Sequence, residues 1–128
     1  MSRLVFLLAL LVSASAADAQ DVRVRLFEGR SGSKVRFTSE DAAMVVTVDG
    51  AHVATAVPGE AVDVERERDG IKVAAENVRV EGRRVEIVSE GVVRVRSGSR
   101  DRTYVGAFVV ERNAHGLRIV NRVDIEPY

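Results

Sequence analysis

Residues Thr103 to Tyr128 read TYVGAFVVERNAHGLRIVNRVDIEPY, and this stretch decides the fold. From Tyr104 to Arg112 the side chains alternate with the repeat of a pleated strand, which puts Tyr104, Gly106, Phe108 and Val110 on one face. Asn113-Ala114-His115-Gly116 is polar and reads as a four-residue turn, with Gly116 supplying backbone freedom. A return run follows from Leu117 to Asn121, with Leu117, Ile119 and Asn121 sharing a face. Val123 and Ile125 then alternate with Asp124 and Glu126 until Pro127 stops the pattern. The stretch predicts a β-hairpin with one apolar face.

The same grammar extends upstream. Val22, Val24 and Leu26 alternate with Arg23, Arg25 and Phe27, and Val35 and Phe37 alternate with Lys34, Arg36 and Thr38. Met44 to Val48 is a nearly continuous apolar run, the pattern of a strand covered on both faces. Asp49-Gly50 and Pro58-Gly59 are turn dipeptides flanking a weaker run from Ala51 to Val57. Valines and isoleucines at Val62, Val64, Ile71, Val73, Val78 and Val80 supply further inward faces. Val85, Ile87, Val93 and Val95 do the same, and Asp69-Gly70, Glu81-Gly82 and Glu90-Gly91 break the runs. The one candidate for helix is a single turn over Ser39–Ala43 capped by Ser39, because no window keeps apolar positions at helical spacing. The expectation is a mainly β domain, an antiparallel sandwich or partly open barrel of short strands, with a valine-rich core.

Residues 1–19 have the form of a secretory signal peptide. Arg3 is the charged start, Leu4 to Val12 the apolar stretch, and Ala17 and Ala19 satisfy the small-x-small rule, with Ala14 and Ala16 as the alternative site. That apolar stretch is far short of the ~20 residues a membrane span needs, so no span is expected after cleavage. Residues 20–128 suffice for one small domain. With 19 basic and 19 acidic residues, the chain makes no electrostatic case for nucleic acid or an anionic membrane. It contains no cysteine, so neither a disulfide nor thiolate chemistry is available to an exported protein of this sequence.

The ordered set Tyr104-x-Gly106, Gly116-Leu117, Val120-Asn121, Ile125-Glu126 and Tyr128 resembles the opening of the SpoIID/LytB domain, the family of stage II sporulation protein D and the amidase enhancers. There the run reads roughly Y-R-G, a hairpin, then V-N-x-L-P-L-E-x-Y. Here Val105 stands for the Arg, Val123-Asp124 for the Leu-Pro, and Pro127 for an acidic residue. The resemblance covers residues 103–128. It implies a peptidoglycan lytic transglycosylase acting outside the cytoplasmic membrane, with glycan strands as substrate and a cell-wall amidase as a second partner. The family's catalytic Glu follows the motif beyond a Gly-Val step, so residues 20–128 are expected to lack it and to be silent alone. The alternative is a non-catalytic envelope module that contacts peptidoglycan or an amidase.

Within the chain itself, candidates for chemistry are few. His52 and His115 fall at turns or strand edges without acidic neighbours at ligand spacing, so no metal site and no cofactor are expected. Neither histidine sits in a nucleophile motif. Arg30-Ser-Gly-Ser-Lys34 and Arg96-Ser-Gly-Ser-Arg100 echo each other, and ordinary hairpin turns account for both. A phosphate loop is excluded, because Gly29 to Lys34 lacks the Gly-Lys-Ser/Thr ending and leads into a strand. Arg23/Arg25 and Arg94/Arg96 each project from one strand face, either to line a saccharide or carboxylate groove or, more often for such stripes, to form a solvated face that meets acidic cross-strand partners. Glu126 is weighed as a general acid, since glycan cleavage runs on carboxyl groups. The resemblance instead gives Glu126 a supporting place beside Tyr104, Asn121 and Tyr128, which brace the floor of a cleft, and no residue of this stretch is assigned as catalytic.

Overall fold

The structure, a computed structural model, describes residues 20–26 and 33–125. The expected signal peptide, the first basic turn over 30–32, Glu126 and Tyr128 lie outside the described residues. Ten strands form: β1 (Gln20–Leu26), β2 (Lys34–Thr38), β3 (Met44–Val48), β4 (Ala51–Ala56) and β5 (Ala61–Arg66) come first. They are followed by β6 (Ile71–Ala75), β7 (Val78–Gly82), β8 (Arg84–Ser97), β9 (Arg100–Asn113) and β10 (Gly116–Ile125). All pair antiparallel, in the order β1-β10-β9-β8-β2-β5-β6-β7, with β3 on the free edge of β8 and β4 beyond β3. The sheet does not close into a barrel.

The architecture turns on β8 and β9, which are 14 residues each. The first half of β8 pairs with β3, Val46 opposite Ile87 and Val48 opposite Val85. Its second half pairs with β2, Phe37 opposite Val95. One long hairpin thus serves two leaves of sheet, β4-β3 on one part and β2-β5-β6-β7 on the other. The leaves fold over a shared core in which Phe37 and Phe108 meet with ring centroids 5.3 Å apart. Strand alternation sets this core: Val35, Phe37, Val62, Val64, Val93 and Val95 are inaccessible from one leaf, and Met44, Val46, Val85, Ile87, Phe108 and Ile119 from the other. Burial of this size is the main favourable term in holding a domain with no disulfide together.

The turns follow their residue types. Asp49 and Gly50 both take positive φ, 50° and 87°, the mirror-image turn that matches the twist of β3 and β4. Pro58-Gly59 closes with the Glu60 amide donating to the Val57 carbonyl at 3.0 Å, and Gly98 joins β8 to β9 at φ 62°.

Several expectations are corrected. Glu90-Gly91 does not break the chain: β8 runs through it, and a side-chain carbon at Gly91 would strike Asp41 and Ala42 of the loop lying over it. The strands flanking it are therefore long, because bulge and close approach replace a turn. The Asn113–Gly116 turn is tighter than expected, since Asn113 and Gly116 already pair and only Ala114 and His115 connect β9 to β10. Ser39–Ala43 forms no helical turn; the buried Ser39 hydroxyl lies 2.9 Å from the Val92 carbonyl and 3.0 Å from Asp41 Oδ1. Ser39 thus ties the loop to β8, a tertiary partner that outcompetes a local cap. Met44–Val48 is covered on one face only, with Val45 40% exposed. Val24, expected inside, is 46% exposed; β1 is an edge strand, paired on one side only.

Candidate functional site

The residues singled out by the sequence converge on an irregularity in the β8–β9 ladder. Tyr104 pairs with Val93 and Gly106 with Ser89, so Glu90, Gly91 and Val92 of β8 stand against Val105 alone on β9; the bulge lies in β8, and Val105 facing it is half exposed. Gly106 adopts φ 102°, a region that side chains avoid, and its missing side chain leaves room for the Arg122 carbonyl of β10. Asn121, buried on β10, donates its side-chain amide to the carbonyls of Val105 at 2.9 Å and Ala107 at 3.1 Å. Those two carbonyls flank Gly106. Asn121 therefore clamps the bulge by satisfying acceptors that the shifted ladder disturbs. Tyr104 is half-buried and sets its ring edge-on to Phe108, centroids 6.3 Å apart at 74°. Tyr104, Gly106 and Asn121 thus form one structural unit, and Glu126 and Tyr128 fall outside the described residues.

The arginine stripes occupy two outer faces. On the face of β2, β5, β8 and β9, Arg94 binds Asp101 through Nε at 2.8 Å and Nη2 at 2.5 Å, and Arg36 grips Asp63 at 2.8 and 3.1 Å. The hydrogen bond to Arg94 holds the Asp101 carboxyl below its usual range, and Asp63 raises Arg36 in turn. Arg94 and Arg96 have therefore found the acidic cross-strand partner that the alternation allowed, with Arg96 4.0 Å from Asp101.

The face of β8, β9, β10 and β1 differs. Registers place Arg84, Glu111 and Arg118 in one row, Glu86, Val109, Val120 and Arg25 in the next, and Val88, Ala107, Arg122 and Arg23 in a third. Glu86 takes Arg122 at 2.9 Å, and Glu111 takes Arg118 at 3.4 Å and Arg84 at 4.0 Å. Arg23 stands directly across from Arg122, a like-charge pairing, and neither Arg23 nor Arg25 has an ionic partner among the described residues. Arg23, Arg84, Arg118 and Arg122, with Glu111 among them, surround a shallow groove floored by Val109 and Val120.

One titrating pair joins two turns far apart in sequence. Glu60 and Glu76 lie on separate turns, and their carboxyl groups share a hydrogen bond that lowers Glu60 and raises Glu76. Val57 N–H also donates to Glu60 Oε1 at 2.9 Å, which explains which member keeps the charge. A hydrogen-bonded pair is closer than the ~5 Å separation of a retaining glycosidase, and both carboxyl groups sit in open solvent, so the pair lacks the shielding a general acid needs. No signal in the sequence joins two turns in this way.

No carboxylate from Glu40 to Glu111 is buried. An open depression of about 410 Å³ at one end of the leaves is lined by Asp49, Glu67, Asp69 and Glu81 with Arg68 and Arg83, but Asp49 is committed to the backbone N–H groups of Arg83 and Arg84. Among the described residues no group of three or more His, Cys, Asp or Glu is placed to hold a metal ion, and no helix is long and apolar enough to cross a membrane. His52 bonds Thr55 at 3.0 Å, and the His115 amide caps on Asn113 Oδ1 at 2.9 Å, local roles at two turns. No protein-family model, curated protein or solved structure matches the chain.

Proposed function

We propose that residues 20–128 are a wall-facing β module of an exported protein of the SpoIID/LytB kind, which meets peptidoglycan without cleaving it. The observation that carries this reading is the union of Tyr104, Gly106 and Asn121 at one bulge. The Tyr-x-Gly and Val-Asn elements of the resemblance are separated in sequence, and the Asn121 amide brackets Gly106 through the Val105 and Ala107 carbonyls. A motif with a shared structural purpose is a firmer basis than a run of matching letters.

The chemistry present suits binding better than bond cleavage. A lytic transglycosylase needs a carboxyl group sheltered enough to stay protonated near neutral pH. The described carboxylates instead meet arginines, as Glu86 and Glu111 do on the outer face, or hydroxyls, backbone N–H groups and open water. In this reading the acid that the family uses lies beyond the motif, and an amidase that strips stem peptides is the second partner. The surface offered to the wall is the groove edged by Arg23, Arg84, Arg118 and Arg122, where Arg23, which has no ionic partner among the described residues, would take a carboxylate of the polymer and Val109 and Val120 its apolar parts.

The test is co-sedimentation of the protein with purified sacculi, together with assay of released anhydromuropeptides with and without amidase treatment. The expected result is binding without release, with binding weakened in an Arg23→Glu/Arg25→Glu variant. A protein that stays in the supernatant with every sacculus preparation would overturn the wall-facing reading. Release that disappears in Glu126→Gln would make Glu126 the catalytic acid.

A further inference from the structure

Every open sheet must manage the unpaired N–H and C=O groups along its edges, and charged side chains are the usual means. Three of the open edges among the described residues follow that rule. β1 carries Arg23 and Arg25, β7 carries Arg79 and Glu81, and the part of β9 beyond its pairing with β10 carries Arg102. β4 does not. From Ala51 through Ala56 it reads Ala-His-Val-Ala-Thr-Ala, continued by Val57, with no acidic residue, no Lys, no Arg and no Pro. This run stands in a chain of which 30% is charged; it hydrogen-bonds only with β3, and β7 approaches it without pairing.

We propose that two copies of this chain join through the outer edges of β4, antiparallel about a two-fold axis, to make one sheet continuous across the pair. The choice of a second copy rests on charge. A strand that pairs with itself about a two-fold sets its own residues opposite one another, so an edge bearing Arg23 and Arg25 would oppose like charges. The β4 edge self-pairs without that penalty. A foreign acidic or basic strand would gain nothing at β4 and would find complementary charge on β1 or β7 instead.

The surface beside the edge continues in kind. Thr55 of β4 lies opposite Val45 of β3, and Val45 lies opposite Val88 of β8. Val45 is 40% and Val88 42% exposed, and Val57 just past the strand is 52% exposed. A second copy would extend this row of uncharged side chains on the same face and withdraw the edge from water. The register shift between Val46 and Thr47 leaves Val53 without a cross-strand partner in β3, near the middle of β4 and so near the proposed axis.

The experiment is sedimentation equilibrium of the purified protein over a range of concentrations. The expected weight-average mass rises from one chain toward two, for wild type and for Thr55→Val alike. Thr55→Lys, which places a charge on an already exposed edge residue, stays at one chain and melts as wild type does at concentrations where wild type is itself one chain. The chain has no cysteine, so single variants Val53→Cys, Ala54→Cys and Thr55→Cys give a clean second readout under mild oxidation. At least one of these three forms a covalent dimer in good yield, while Arg79→Cys on β7 does not. A mass of one chain at every concentration, a Thr55→Lys protein that still dimerises, or equal cross-linking at Arg79 would each overturn the proposal.

Discussion

The backbone carbonyl of Arg122 occupies the place where a side-chain carbon at Gly106 would stand. That contact brings β10 against β9, beside the bulge of β8, more closely than any other residue type would allow, and it makes Gly106 the tightest point of the candidate site. Gly106→Ala combines this clash with a φ of 102°. The expected cost is about 1–3 kcal/mol, read as a lower denaturation midpoint with an unchanged slope. A variant as stable as wild type would mean the bulge relaxes freely.

Asn121 offers a separable test of the same unit. Replacing it with Ala leaves the Val105 and Ala107 carbonyls without their side-chain donor and opens a small void, for an expected loss of about 1–3 kcal/mol. Asn121→Asp should fare no better, since a carboxylate cannot donate to two carbonyls. Combined with Gly106→Ala in a double-mutant cycle, the losses should be less than additive, because both substitutions act on one bulge. Strict additivity would show the two residues to be independent.

Phe108 stands at the junction of the leaves, inaccessible and in contact with Phe37 and Tyr104. Phe108→Ala should cost roughly 3–5 kcal/mol. A small domain has only ~5–15 kcal/mol of stability, so this variant is expected to populate unfolded chain at ordinary temperature. A melting curve that overlays wild type would show that the two leaves do not depend on each other.

The pH dependence has two opposed contributions. Asp101 has its folded-state pKa lowered by Arg94, so its stabilisation is present above the unfolded carboxylate range and is lost as pH falls through the lowered value. Glu76 is raised by Glu60, so its contribution is present at low pH and is lost as pH rises through the raised value. Asp101→Asn should therefore flatten the acid side of a stability profile, and Glu76→Gln should remove a decline at the upper end of the carboxylate range. All these groups are exposed, so both effects should shrink when salt is added. Profiles that superimpose on wild type would show the pairs to be energetically silent.

Much of the fold was legible because strand alternation is strict where one face is buried. Val35/Phe37, Val62/Val64, Val93/Val95 and Leu117/Ile119 all read correctly as inward residues. The failures share a cause, which is that pattern reports local preference and is blind to what lies across the sheet. Glu90-Gly91 has turn composition, yet the loop at Asp41 and Ala42 presses on it and the strand continues. Val24 has a core residue's identity but sits on an edge strand, half exposed. In the candidate site Tyr104, Gly106 and Asn121 could be named from sequence, whereas the clamp joining them needs the register of β9 on β10. The Glu60–Glu76 pair gave no sign at all, because nothing in either turn refers to the other.

The long hairpin of β8 and β9 also sets an order of assembly. Its two strands are adjacent in sequence and joined by a tight turn at Gly98, and β10 follows through a second one, so this three-stranded meander closes only short loops. β3 and β2 must then find the far edge of β8 from well upstream, and β1 must reach β10 from the opposite end of the described chain. Contacts of such high order form late and slowly. The meander is thereby cast as the folding nucleus, and β1, held on one edge alone, as the strand that docks last and frays first.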